Sequence, residues 1–169
     1  MGDPKKKVLV VDDDPQLVDL LTLALHDAGY EVASTGDGAE AIRRAVTSPP
    51  DVIVLDVALP GRDGWEVADY LLSHNGTTGT PIIFLTARNQ RSDQLRGWYA
   101  GCFDYLTKPF DVEVLLNRVR AATTEPSERT RQLAAELRRQ KIARLEAVVS
   151  PDAADDESSD ERNLGRPTA

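Results

Sequence analysis

Apolar and polar positions alternate along this chain in two distinct rhythms. Short uninterrupted runs such as Val8–Val11, Val52–Leu55 and Ile82–Leu85 read as strands buried on both faces. Between them, apolar residues recur at three- and four-residue spacing, the period of a helix with one inward face. The pattern predicts strands near Lys7–Val11, Glu31–Ser34, Asp51–Asp56, Pro81–Leu85 and Phe103–Thr107, separated by helices. Regular alternation of this kind is the signature of βα units on a parallel sheet.

The punctuation between elements agrees. Pro15 falls in the first turn of the first helix, whose Leu17, Leu20, Leu21, Ala24 and Leu25 should share the inward face, and Gly29 should end it. The second helix follows Asp37-Gly38, carries Ala41, Ile42, Ala45 and Val46, and stops at Pro49-Pro50. A third, from Asp63 or Gly64 to His74, turns Val67, Leu71 and Leu72 inward, and Asn75–Thr80 reads as a flexible loop. A short fourth helix is expected over Asn89–Tyr99 and a fifth over Val112–Ala122, with Val112, Leu115, Leu116 and Val119 inward.

After Ala122 the character changes. Thr123–Ser127 reads as a break, and Glu128–Val149, rich in Arg, Ala, Leu and Glu, reads as a helix capped by Ser127. Its Leu133, Leu137, Ile142, Leu145 and Val148 spread too widely for a heptad seam. From Ser150 the chain is acidic and lacks aromatics, a composition unable to bury enough apolar surface to fold. The predicted organisation is a domain over 1–122, a linker and helical extension over 123–149, and a disordered acidic tail over 150–169.

Composition narrows the function classes. No stretch of the 169 residues approaches the ~18 apolar residues that a membrane span needs, so a cytoplasmic protein without membrane contact is expected. The single cysteine, Cys102, fits a reducing compartment and a packed thiol. A formal net charge of −8 argues against indiscriminate nucleic-acid binding.

Candidate chemistry appears where the strands stop. The first run ends in Asp12-Asp13-Asp14, the third in Asp56, the fourth at Thr86, and the fifth delivers Lys108. In an open parallel sheet, the carboxyl ends of neighbouring strands face a common crevice. Acids, a hydroxyl and an amine gathered there suit a divalent cation and a phosphoryl group. Crowding Asp12, Asp13 and Asp56 is repulsive, which should raise at least one carboxyl pKa and favour magnesium. Asp14 reads better as a cap, and His26 and His74 as surface histidines.

Taken together, Val10–Pro15, Asp51–Asp56, Leu59–Gly64, Leu85–Arg88 and Asp104–Phe110 resemble the receiver domain of two-component response regulators. The resemblance covers Lys5 to about Ala122. It implies a flavodoxin-like, doubly wound, five-stranded parallel sheet of strand order 2-1-3-4-5 with helices on both faces, here followed by a C-terminal helical extension. It also implies that Asp56 accepts a phosphoryl group from a phosphohistidine on a sensor histidine kinase or phosphotransfer protein. Mg2+ would be held by Asp13 and Asp56 directly, by Asp12 through water, and by the Ala58 carbonyl. Lys108, the Thr86 hydroxyl and the Ala87 amide would bind the phosphoryl oxygens, and the bond before Pro109 would be cis. Thr86 and Tyr105 would form the switch that carries the modification to the surface. On this reading the protein is a phosphoacceptor switch and not an enzyme, with slow self-dephosphorylation.

Many receivers dimerise through the fourth helix, fifth strand and fifth helix using charged pairs. Here Asp104 and a partner Arg118 remain, but Phe103 replaces an acid and Trp98 and Tyr99 add bulk, so a homodimer on that face would be more apolar. Three functions compete. One is a receiver acting by protein contact or phosphorelay. Another is a transcriptional regulator whose basic helix, with Arg129, Arg131, Arg138, Arg139, Lys141 and Arg144, touches DNA or polymerase, although interleaved Glu128, Glu136 and Glu146 make nucleic acid an unlikely partner. The third, a haloacid-dehalogenase-type hydrolase, lacks the second aspartate where Ala58 stands. No phosphate-binding glycine loop ending in Lys-Ser or Lys-Thr exists to support a GTPase.

Overall fold

The computed structural model describes residues 4–87 and 103–124, together with Arg139, Ala143 and Ala147. Strands β1 (Lys7–Val11), β2 (Glu31–Thr35), β3 (Val52–Asp56), β4 (Ile82–Thr86) and β5 (Asp104–Thr107) alternate with helices α1 (Pro15–Asp27), α2 (Gly38–Thr47) and α3 (Gly64–Ser73). Helix α4 (Val112–Thr124) follows β5 and is the helix expected over Val112–Ala122.

All strand pairs are parallel, in the order β2-β1-β3-β4-β5. Register keeps the carboxyl ends level: Val11 lies opposite Leu55, Asp56 opposite Leu85, and Thr86 opposite Thr107. Because successive side chains point to opposite faces, each central strand feeds two cores. Leu9, Val11, Ile53, Leu55, Ile82 and Phe84 pack with α2 and α3. Val8, Val10, Val52, Val54, Ile83 and Leu85 pack on the other face with α1 and α4.

Local chemistry sets the helix ends. The Asp14 carboxylate caps α1, accepting from the Gln16 amide at 3.0 Å, and Pro15 occupies the first turn. Asp37 and Asp63 cap α2 and α3 in the same way. Gly29, at φ +96°, reverses the chain after α1.

Three expectations are corrected. Leu20 does not share the inward face of α1. It is 49% exposed, because only Leu21 and Leu25 point squarely at the sheet while Leu17 and Ala24 flank them. The Asn75–Thr80 segment is tied down: Thr77 is buried and its hydroxyl donates to the Leu71 carbonyl at 2.7 Å, while that of Thr78 reaches Leu72. The two hydroxyls satisfy carbonyls left open at the end of α3. Finally, α4 runs through Thr123 and Thr124. Their hydroxyls bond back to Val119 and Arg120 within the helix, and Thr123 also meets the Tyr30 hydroxyl at 3.3 Å.

The expected helix over Asn89–Tyr99, with Arg88, Trp98, Tyr99 and Cys102, lies outside the described residues, as does the tail over 150–169. Within the expected helix over Glu128–Val149, Arg139, Ala143 and Ala147 are helical and exposed. Among the described residues, no helix is long and apolar enough to cross a membrane.

Candidate functional site

The three neighbouring strand ends deliver their polar residues to one place. Asp12 follows β1 directly, held there by its amide bonded to the Thr35 carbonyl at 3.1 Å. Asp56 closes β3, and Thr86 closes β4; all three are buried. Lys108 follows β5, and its amide donates to the Thr86 carbonyl at 2.7 Å, so the last rung of the β4–β5 ladder sets where the lysine leaves the sheet. The Lys108–Pro109 peptide is cis, as the resemblance implied.

The lysine ammonium bridges two carboxylates. It lies 2.6 Å from Asp12 Oδ2 and 2.8 Å from Asp56 Oδ2. The second oxygen of each acid is also engaged: Asp12 Oδ1 accepts the Asp14 amide at 2.9 Å, and Asp56 Oδ1 accepts the Ala58 amide at 2.8 Å. Exposed Asp13 completes the cluster, with ligand oxygens of Asp12, Asp13 and Asp56 all within 4.8 Å of one another.

Burial pushes the Asp56 carboxyl above the ordinary 3.8, and the Asp12 charge adds to the rise, while bonds from Lys108 and the Ala58 amide pull against it. The expected rise is therefore present, but desolvation is its largest cause and repulsion a smaller one. Burial alone would lower the Lys108 pKa. Its bonds to Asp12 and Asp56 outweigh that, and the group ends above the ordinary 10.5.

The donor set fits a hard divalent cation. Three carboxylates converge, two of them buried, and among the described residues one ammonium, that of Lys108, is paired with them. Asp12, Asp13 and Asp56 are the side chains able to hold it. Ala58 and Ala87 are exposed just past the ends of β3 and β4, and Ala58 is tied to Asp56 through its amide. Asp14 is a cap and no part of the cluster. His26 is exposed, and His74 stacks on Tyr70, away from the carboxylates.

Tyr105 lies opposite Phe84 in the β4–β5 ladder, half-buried against the α2–α3 core. Phe103 packs partly into the other core, and Asp104 pairs with Arg118 of the same chain at 3.0 Å. Trp65, which no motif in the sequence singles out, is buried at the start of α3, with its ring centroid 4.4 Å from that of Phe84. The cue available was its position directly after Asp63-Gly64.

A 2-1-3-4-5 parallel sheet with carboxylates and a lysine gathered at its carboxyl edge defines a flavodoxin-like α/β protein with an aspartate pocket. Residues 8–120 match the response regulator receiver domain, and the chain belongs to that family. The DNA-binding dual master transcriptional regulator RpaA of Synechocystis is 44% identical over 115 residues, which are 68% of this chain and 48% of that protein. The chain thus spans about half the length of the curated relatives it matches. Chemotaxis protein CheY4 of Vibrio cholerae superposes with TM-score 0.67 at 34% identity, covering 70% of this chain and 99% of that one. The receiver domain of the sensor histidine kinase PA1611 from Pseudomonas aeruginosa gives TM-score 0.67 at 30% identity over 72% of this chain and 100% of that one. That structure has a magnesium ion coordinated in its active-site cleft. The expectation that nucleic acid is an unlikely partner is not borne out, since the Synechocystis relative is DNA-binding by name.

Proposed function

We propose that this chain is a magnesium-dependent phosphorylation switch in which Asp56 accepts a phosphoryl group from a phosphohistidine of a sensor histidine kinase or phosphotransfer protein. The observation that carries this reading is Lys108 bridging Asp12 and Asp56 at a three-carboxylate cluster on level strand ends. An Asp56 oxygen attacks phosphorus, the P–N bond breaks, and its electron pair returns to the imidazole, which takes up a proton. A carboxylate is a weak nucleophile, so the step depends on alignment and on neutralising the oxygens of the transferring group.

Asp12, Asp13, Asp56 and the Ala58 carbonyl are the proposed metal ligands. When bound, Mg2+ offsets the carboxylate charge and that of the phosphoryl oxygens. Lys108 supplies a point charge to those oxygens, and the Thr86 hydroxyl and Ala87 amide donate to them. Drawing Thr86 toward the phosphoryl group frees space for Tyr105 to turn inward, a local charge biasing a two-state packing arrangement. Output then passes by protein contact or phosphorelay, in the cytoplasm. The receiver is assigned to 1–124, moved from 122 because α4 runs through Thr124, with the helical extension following to 149 and the acidic tail over 150–169.

The test is incubation with acetyl phosphate and magnesium. The chain should gain one hydroxylamine-sensitive phosphate, and Asp56→Asn should gain none; phosphorylation of that variant at the normal rate would overturn the assignment. The name of the Synechocystis relative favours a second reading, a transcriptional regulator. Duplex DNA binding at physiological salt, lost when Arg138, Arg139, Lys141 and Arg144 become glutamine, would place that output in the C-terminal helix.

A further inference from the structure

Helix α3 begins against the peptide that carries Asp56. A Cβ on Gly64 would lie 2.2 Å from the Asp56 carbonyl oxygen, 2.8 Å from Val57 Cα and 3.0 Å from the Asp56 carbonyl carbon. All three are backbone atoms, so no side chain can rotate away to make room. The Gly64 amide also donates to the Val57 carbonyl at 2.9 Å, which fastens the helix start to the residue after Asp56.

The other side of this contact is anchored. Asp63 caps α3 through the Trp65 amide at 2.9 Å, and Trp65, Val67, Ala68 and Leu71 anchor the helix in the core. Trp65 rests on Phe84 of β4. A side chain at position 64 would therefore be relieved mainly by moving the Asp56–Val57–Ala58 backbone. That backbone aims the Asp56 carboxylate at Lys108 and supplies the Ala58 amide that holds its Oδ1.

We propose that Gly64 is a positioning residue for phosphoryl acceptance: its lack of a side chain lets α3 seat directly on the Asp56 peptide and hold the carboxylate in line with Lys108 and the metal cluster. This rests on the reading of Asp56 as phosphoacceptor. Ordinary contact requires the gap to open by about 1 Å, a misplacement that costs on the order of a hundredfold in rate at a reacting centre.

The test compares Gly64→Ala with Gly29→Ala in the full chain. Gly29 has φ +96° and lies in the turn after α1, so alanine there strains the backbone without touching the carboxylates. Magnesium affinity is read by calorimetry, phosphorylation by acetyl phosphate at saturating magnesium, and stability by urea. Gly64→Ala should weaken magnesium binding and slow phosphorylation about a hundredfold, while Gly29→Ala loses stability but keeps both. Native magnesium affinity and rate in Gly64→Ala would overturn the proposal. If Gly64→Ala does not fold in buffer, the same measurements are made with trimethylamine N-oxide, which favours compact states. Native magnesium affinity there overturns the proposal, as does failure to fold, which would give the glycine to the fold and not to the site. Phosphorylation of Asp56→Asn would sink the phosphoacceptor reading itself and is scored separately.

Discussion

The Lys108 ammonium lies 2.8 Å from the Asp56 carboxylate, joining residues 52 positions apart in sequence across the edge of the sheet. Lys108 also pairs with Asp12, so two largely buried carboxylates depend on this one ammonium for compensation. Lys108→Ala would leave Asp12 and Asp56 without their shared cation. It should destabilise the metal-free protein by about 3 kcal/mol, the usual cost of breaking a buried pair from one side. Magnesium should recover much of that loss, because it replaces the missing positive charge. Phosphorylation should still fall about a hundredfold, since a charge aimed at the phosphoryl oxygens is gone. Urea titrations with and without magnesium, alongside acetyl phosphate kinetics, check both statements.

The raised Asp56 pKa makes a prediction with a definite sign. A carboxyl that is harder to ionise when folded binds more protons in the native state, so stability falls as pH rises from 3.8 through the folded value. Asp56→Asn should therefore stabilise the metal-free protein at pH 7, with the gain vanishing as the pH drops below 3.8. Lys108 behaves in the opposite range. Its raised pKa contributes stability that is complete below 10.5 and is lost as pH climbs through the folded value. Denaturant midpoints measured from pH 3 to 11 in chelator would show both trends. A variant less stable than the native chain at pH 7 would contradict the first.

The strand ends were legible because apolar runs in a parallel sheet stop where the site begins, so Asp12, Asp56, Thr86 and Lys108 marked themselves by position. What the sequence hid was three-dimensional. Leu20 lies three residues from Leu17 and four from Ala24, a helical spacing, but it falls at the edge of the stripe centred on Leu21, so Leu21 is buried and Leu20 half-exposed. Thr77 sits among loop-forming residues, and nothing local says that its hydroxyl will close the end of α3. In sequence, the start of α3 is only an Asp63-Gly64 pair at which a helix can begin. Its contact with the Asp56 peptide comes from packing two elements, and no periodicity encodes it.

Thr86 and Tyr105 supply a prediction about coupling. Thr86→Ala removes the proposed hydroxyl donor but keeps the strand and its ladder to β5, so phosphate acceptance should survive with a several-fold loss in rate. The response of Tyr105 should not survive. Tyr105 ring resonances should shift on phosphorylation of the native chain and stay in place in Thr86→Ala. An unaltered Tyr105 response in the variant would separate the ring from the hydroxyl and remove Thr86 from the switch.

Among the described residues, both hydrophobic cores are built from residues between Val8 and Ala122, and α4 closes the second with Leu115, Val119 and Ala122. Thr123 adds the last tie, meeting Tyr30 at the opposite end of the sheet from the carboxylates. Deleting Glu125–Ala169 should therefore preserve the fold, magnesium binding and phosphorylation by acetyl phosphate, with a denaturation midpoint within a few degrees of the full chain. By contrast, Thr123→Val breaks the Tyr30 contact within the receiver and should cost on the order of 1 kcal/mol in either background. If the truncated chain lost as much stability as a core truncation, ~3 kcal/mol, the extension would belong to the folded unit and a boundary after Thr124 would be wrong. If it kept its stability but lost phosphorylation, the extension would instead act on the site.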